Sequence, residues 1–251
     1  MMNPEEFDNL ARFEREFWWH RGMEQILYRV LDPLTRGRRL HLATEAGCGT
    51  GYMSSRLQQH YGWRIFPTDL GREGILYGTR SGFNHAMTQA DLAALPFRSE
   101  QFDVVAGLDV IAHFRRGDEH LAIREMVRVL APGGLLVIRT SALDVLRSHH
   151  SKFTHERQRF TRGRLMNAVS KEGIRILRCT YANSLLLPVA FTKFRILEPL
   201  SRSRPSSGIQ PVAPWLNRLL YGLLRTEAAW LGSGRDLPLG QSLLLIGERN
   251  V

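Results

Sequence analysis

Glu45-Ala46-Gly47-Cys48-Gly49-Thr50-Gly51 follows the short, mostly apolar run at residues 40–44 and precedes an amphipathic stretch at residues 53–59. A strand, a glycine-rich turn and a helix in that order let the backbone approach a ligand, because residues without Cβ leave room and adopt φ/ψ values closed to others. The spacing is G-x-G-x-G. Tyr52 stands where the dinucleotide fingerprint would place its third glycine, and no Lys-Ser/Thr follows as a phosphate-binding loop requires. Nicotinamide and nucleoside-triphosphate readings are both weakened. Glu45, at the end of the strand, would repel a pyrophosphate and suits an ammonium, which favours a cofactor that carries an amino acid.

Outward from the turn, Asp69 closes the next strand, where a carboxylate can accept both hydroxyls of a ribose, and Leu70 beside it offers an apolar surface to a base. Asp91, in Gln89-Ala90-Asp91-Leu92, closes a third strand from which its carboxylate can accept an adenine amino hydrogen. Apolar runs at 40–44, 63–68, 87–91, 102–108, 135–140, 173–181 and 241–249 predict seven strands. Helical spacing at 53–59, 74–81, 119–130 and 165–171 predicts helices between them, and Ala131-Pro132-Gly133-Gly134 reads as a turn. The alternation implies an α/β fold, a Rossmann-like, mostly parallel seven-stranded sheet with helices on both faces.

Residues 5–34 read as one or two helices ended by Asp32-Pro33, so residues 1–37 form an N-terminal helical lid segment and residues 38–251 the main domain. Within that domain residues 182–240 are a helical insertion before the last strand. Its helical pieces, at 188–197 and 215–231, flank a loop at 201–214.

The ordered set of Glu45 through Gly51, Asp69, Ala90-Asp91-Leu92 with Leu95-Pro96-Phe97, Phe102-Asp103-Val104-Val105, Asp109-Val110-Ile111-Ala112-His113 and Arg128 through Gly134 resembles the class I S-adenosylmethionine-dependent methyltransferases of the type 11 group. The resemblance covers residues 38–140 and implies a reversed last strand. It also implies S-adenosyl-L-methionine as cofactor and S-adenosyl-L-homocysteine as product. The cofactor contacts it implies are Glu45, Gly47, Cys48, Gly49, Gly51, Asp69, Leu70, Ala90, Asp91, Leu92 and Leu108. Trp18-Trp19 followed by Arg21, His155 with Arg157, Arg159, Phe160 and Thr161, and Pro238-Leu239-Gly240-Gln241-Ser242-Leu243 are similar to segments of one subgroup. Glu45 departs from the commoner Asp but keeps the charge.

Methyl transfer from a sulfonium is an in-line displacement in which positioning in a dry pocket carries much of the rate. His113 is the first candidate for accepting a proton from the acceptor, and Asp109 for orienting it. Trp18 and Trp19 offer aromatic faces to a sulfonium or substrate, and His155 and Arg159 a basic contact to an anionic one.

With 43% hydrophobic and 23% charged residues the chain is ordinary for a globular protein, which excludes wholesale disorder and fibrous architectures. Cys48 and Cys179 form no ligand cluster or disulfide framework, so no metal is expected and a cytoplasmic setting fits. No apolar run is long enough to span a bilayer. The net charge of +10 concentrates in residues 147–210, which hold 13 Lys/Arg against 3 Asp/Glu.

Three functions follow as expectations. The first is an S-adenosylmethionine-dependent methyltransferase acting on O, N or C of a small, apolar or lipid-like metabolite. The others are a nucleic-acid methyltransferase, disfavoured because Leu108-Asp109-Val110-Ile111 lacks an Asn/Asp-Pro-Pro-aromatic motif, and a non-catalytic cofactor-binding protein at a membrane surface. Peripheral membrane contact through the apolar, basic stretch 185–197 stays open alongside a substrate roof and a subunit contact.

Overall fold

A computed structural model describes residues 2–80, 87–200, 205–210 and 212–250. Ser81 of the predicted helix and Ser201 to Arg204 and Pro211 of the predicted loop lie outside the described residues. Two helices come first, α1 (Pro4–Phe13) and α2 (Trp18–Thr35). Asn3 caps α1 by accepting the Glu5 amide, and Pro4 sits in the first turn, where a missing N–H is harmless. α2 runs past the expected stop, because Pro33 falls in its last turn and Thr35 Oγ1 bonds the Asp32 carbonyl there at 3.0 Å.

The main domain then runs β1 (Leu42–Glu45), α3 (Tyr52–Tyr61), β2 (Arg64–Ile65), β3 (Thr68–Asp69), α4 (Arg72–Arg80), β4 (Thr88–Gln89), β5 (Phe102–Leu108), α5 (Glu119–Val129), β6 (Leu130–Ser141), α6 (His149–Phe153), α7 (Arg162–Ser170) and β7 (Ile174–Ala182). The insertion carries α8 (Leu187–Thr192), a π-helical stretch (Lys193–Leu197), α9 (Glu198–Leu200) and α10 (Pro214–Gly232), and β8 (Ser242–Arg249) closes the chain.

Among the described residues six strands form one sheet in the order β2-β1-β5-β6-β8-β7, with β8 antiparallel to both neighbours and the rest of the pairs parallel. The expected seventh strand is absent from that sheet. Pro67 has no N–H for the ladder, so the second strand breaks into β2 and β3, and β4 pairs only with β3. A single bridge, Ala46 to Thr68, ties this outer pair to β1. The expected turn at 131–134 lies inside β6. Phe102 pairs with Leu130 and Val104 with Leu135, so the intervening residues bulge out, with Gly133 at φ 74°.

β5 and β6 are apolar on both sides because helices cover both faces. Phe102, Val105, Leu136 and Ile138 pack on one face with Ile123 and Met126 of α5 and Leu165 of α7. Val104, Ala106, Leu135 and Val137 pack on the other with Ile26 and Leu27 of α2, Leu57 of α3 and Leu224 of α10. α2 and α10 approach closely enough that a Cβ on Gly22 would overlap Leu224 Cδ1.

The start of α2 has no cap from its own preceding residue; Asn217 of α10 supplies one. Asn217 Oδ1 accepts the Trp18 amide at 2.9 Å, and its Nδ2 donates to the Glu16 carbonyl at 2.9 Å. Asn217→Ala is therefore expected to cost about 1 kcal/mol in urea unfolding and to raise amide exchange at Trp18. Unchanged exchange there would mean that the cap is idle. Glu227 of α10 anchors the other end of the insertion, accepting the amides of Asn183, Ser184 at 2.8 Å and Leu185 at 3.1 Å. No helix among the described residues is long and apolar enough to cross a membrane.

Candidate active site

Strand ends at one edge of an open α/β sheet form a crevice, and here Glu45 ends β1, Asp69 ends β3 and Leu108 ends β5. Gly47, Gly49 and Gly51 have φ of 79°, 57° and 77°, all left-handed. A Cβ on Gly47 would also overlap Val110 Cγ2, so this position admits no side chain. The turn is stitched to the neighbouring strand: the amides of Gly47 and Cys48 donate to the Thr68 carbonyl at 2.8 and 2.9 Å, and the Gly49 amide donates to Asp69 Oδ2 at 2.7 Å. Asp69 Oδ1 accepts the Gly71 amide at 2.6 Å. A carboxylate has about four acceptor positions, so Asp69, which also meets the Leu70 amide, retains capacity for a further donor.

Glu45 is 2% exposed and accepts Ser54 Oγ at 2.5 Å. Burial pushes its carboxyl up to about 7 against the help of Ser54 and of the Arg139 charge. A buried acid so placed is short of a cation, and an ammonium is the group that would relieve it. Burial likewise lifts the Cys48 thiol well above its ordinary range, which makes it a small wall residue rather than a thiolate.

A cavity of about 1090 Å³ opens over this crevice. Glu45, Gly47, Cys48, Gly49, Asp69, Leu70, Ala90, Asp91, Leu92 and Leu108 line it on the side of the glycine turn. Gly51 instead sits at the N-terminal cap of α3. Trp18, Trp19, Asp109, His113 and Arg159 line the remainder, together with Phe194, Leu197, Ile209 and Val212 of the insertion. His155 is not among the lining residues; it is an exposed turn residue at φ 59° whose backbone meets the His113 side chain. Arg159 is 8% exposed and held in place by Glu156 at 2.7 Å, Ser151 Oγ at 3.0 Å and the Ala142 carbonyl at 3.2 Å.

Asp109 is engaged by Arg139, which donates from Nε at 2.8 Å and Nη2 at 2.7 Å. The Arg139 guanidinium also lies 5.2 Å from the Trp19 ring centroid. Burial lowers the pKa of His113, and its Nδ1 has no partner among the described residues. The imidazole is thus neutral near pH 7 and able to receive a proton.

Residues 44–138 match the family model described as a methyltransferase domain. This stretch is a class I methyltransferase domain of the type 11 group. A probable tRNA methyltransferase 9B of Mus musculus is 36% identical to it over 107 residues, 41% of this chain and 22% of that protein. A malonyl-[acyl-carrier protein] O-methyltransferase of Enterobacter lignolyticus is 32% identical over 139 residues, 54% of each. The alignments thus span about half or less of these relatives. A solved complex between the Haloferax volcanii Trm112 methyltransferase activator and a methyltransferase superposes with a TM-score of 0.60 at 18% identity over all of both chains, a likeness of fold.

The cavity is also lined by residues that sequence reasoning missed. Glu14 of the N-terminal segment accepts Thr50 Oγ1 at 2.6 Å on the cavity wall, and burial pushes its carboxyl up to about 7. His20 lines the cavity one residue beyond Trp19, with Nε2 sealed and unpartnered among the described residues; burial, then the Arg139 charge, lower its pKa to about 3. Arg139 had a visible signal, as the one charge inside the apolar strand 135–140. Glu14 and His20 had none.

Proposed function

We propose that the chain is an S-adenosylmethionine-dependent methyltransferase whose acceptor is a small, apolar or lipid-like metabolite methylated on O, N or C. The observation that carries this reading is the single cavity of about 1090 Å³ running from Glu45, Asp69 and Asp91 to Phe194, Leu197, Ile209 and Val212. Pockets for one drug-sized ligand span roughly 300–1,000 Å³, so this one has room for a nucleoside cofactor and an acceptor beyond it.

The glycine turn with its buried, cation-short carboxylate fits S-adenosylmethionine. Glu45 would hold the ammonium, Asp69 the ribose hydroxyls, Leu70 and Leu92 the faces of the adenine and Asp91 its amino group. When bound, the cofactor supplies a methyl group on a positively charged sulfur. Trp18, Trp19 and the insertion residues over the cavity exclude water from the reacting centre. Where the acceptor gives up a hydroxyl or ammonium proton, the neutral His113 imidazole accepts it. Two buried, unpaired cysteines suit a cytoplasmic site of action.

The runner-up, a tRNA methyltransferase, draws on the name of the mouse relative and on the net charge of +10. Four arginines of the basic segment, Arg159, Arg164, Arg175 and Arg178, are however already paired, with Glu156, Glu119, Glu248 and Asp236. The protein, given methyl-labelled S-adenosylmethionine with a lipid extract, a water-soluble metabolite pool or total tRNA, is expected to place label in the organic-soluble fraction or among small metabolites. Label confined to tRNA would establish the runner-up instead. Absence of calorimetric binding of S-adenosylhomocysteine would remove both.

A further inference from the structure

Residues 187–200 form one helical stretch with two unlike sides. Ala190, Phe194 and Glu198, spaced by four, turn inward: Ala190 is buried, and Phe194 and Glu198 line the cavity. On the outside Val189, Ile196 and Leu200 are 63%, 51% and 79% exposed, and Phe191 on the flank is 45% exposed. Such a row of large apolar side chains in water marks a surface built to be covered. Its middle is the π-helical turn, a departure from regular helix that recurs at functional sites.

Basic groups stand among these apolar ones. Arg195 is exposed and enters no ion pair among the described residues, while Lys193, also exposed, reaches round to the cavity mouth with its Nζ 5.7 Å from the Phe194 ring centroid. The acid of the stretch, Glu198, is turned away from this face and accepts the His149 amide at 2.8 Å. The outer side is therefore apolar and positive. A second copy of the same chain would bring like charges together on docking, which is costly. An anionic lipid surface offers both an apolar layer for the side chains and opposite charge for Arg195, with Lys193 at the edge of the face.

We propose that the outer face of residues 187–200 docks on an anionic lipid bilayer, as a helix lying in its surface. This places the helix that roofs the acceptor half of the cavity at the lipid boundary. The proposal deepens the reading of the acceptor as lipid-like, and the experiment separates the two: cofactor binding and vesicle binding are measured on the same variants.

The full chain is mixed with vesicles of phosphatidylcholine alone or of phosphatidylcholine with phosphatidylglycerol, and floated on a density gradient. Flotation with the anionic vesicles and not with the neutral ones is expected, weakening as salt is raised. The variant carrying Phe191→Glu, Ile196→Glu and Leu200→Glu, and separately Arg195→Glu, is expected to lower the bound fraction at least about tenfold. The calorimetric affinity for S-adenosylhomocysteine should stay within about twofold of the parent, which also shows that the variants fold. No flotation of the parent, or equal flotation of parent and triple variant, overturns the proposal. So does a parent dimer that the triple variant dissolves in the absence of vesicle binding, since the face would then join two copies of the chain. Loss of S-adenosylhomocysteine binding by the parent would instead strike the enzymatic reading and leave the flotation result standing.

Discussion

Glu45→Gln is expected to stabilise the unliganded protein at pH 8 while weakening its hold on S-adenosylhomocysteine ten- to a hundredfold, roughly the strength of a hydrogen bond to a charged group. Glu45 is buried, with Ser54 Oγ as its hydrogen-bonding partner and its carboxyl pushed up to about 7 by burial. The folded chain then binds this proton more tightly than the unfolded chain does. Its contribution to stability is full below the ordinary carboxyl value of 4.5 and is lost as pH rises through about 7. Glutamine carries no charge to desolvate, so above pH 7 the variant escapes a penalty on the order of 3 kcal/mol. Glu14, also raised to about 7, remains, so some decline in melting temperature with pH persists in the variant.

Ligand binding has the opposite dependence. An ammonium needs the ionised carboxylate, so the parent's affinity should climb as pH passes from 6 to 8 and the variant's should not. Melting curves and calorimetric titrations across that range check both halves. Equal affinity in parent and variant would mean that Glu45 does not meet the ammonium.

The features legible in the sequence are those made by neighbours along the chain. The glycine turn, Asp69 two residues before its own amide partner Gly71, and the central strand Phe102–Leu108 each follow from residues within a few positions, and all stand where local reading puts them. Even the break between β2 and β3 has a local cause, Pro67, whose missing N–H was visible but whose neighbouring strand was not.

The rest depends on pairs far apart in sequence. Glu14 meets Thr50 across 36 positions, Asn217 caps the Trp18 amide across 199, and Arg139 reaches Asp109 across 30. A lone acid in an amphipathic helix reads as a solvated face until the fold lays it against a partner. That is why Glu14 escaped notice, and why the Arg139 partner of Asp109, whose Nε and Nη2 both donate to Oδ2, was not visible beside the candidate role of Asp109 in orienting an acceptor.

Arg139→Met tests that last pairing and carries the second large effect. The Arg139 side chain is 6% exposed and that of Asp109 32%, so removal of the arginine leaves a partly buried carboxylate unopposed on a residue whose φ of 63° gives it little freedom to turn away. The expected cost is about 3 kcal/mol in urea unfolding. The Arg139 charge also lowers the Glu45 carboxyl, so its loss moves the midpoint of the pH-dependent cofactor affinity upward from about 7 and weakens binding at neutral pH. Asp109→Asn added to Arg139→Met removes the uncompensated charge and should recover most of the lost stability, giving a coupling energy of about 2 kcal/mol between the two sites. It should not recover the affinity, because Glu45 still lacks the positive charge. Additive stability losses would show that the pair contributes nothing as a pair, and an unmoved midpoint in the single variant would show that Arg139 acts on the fold without reaching the cofactor carboxylate.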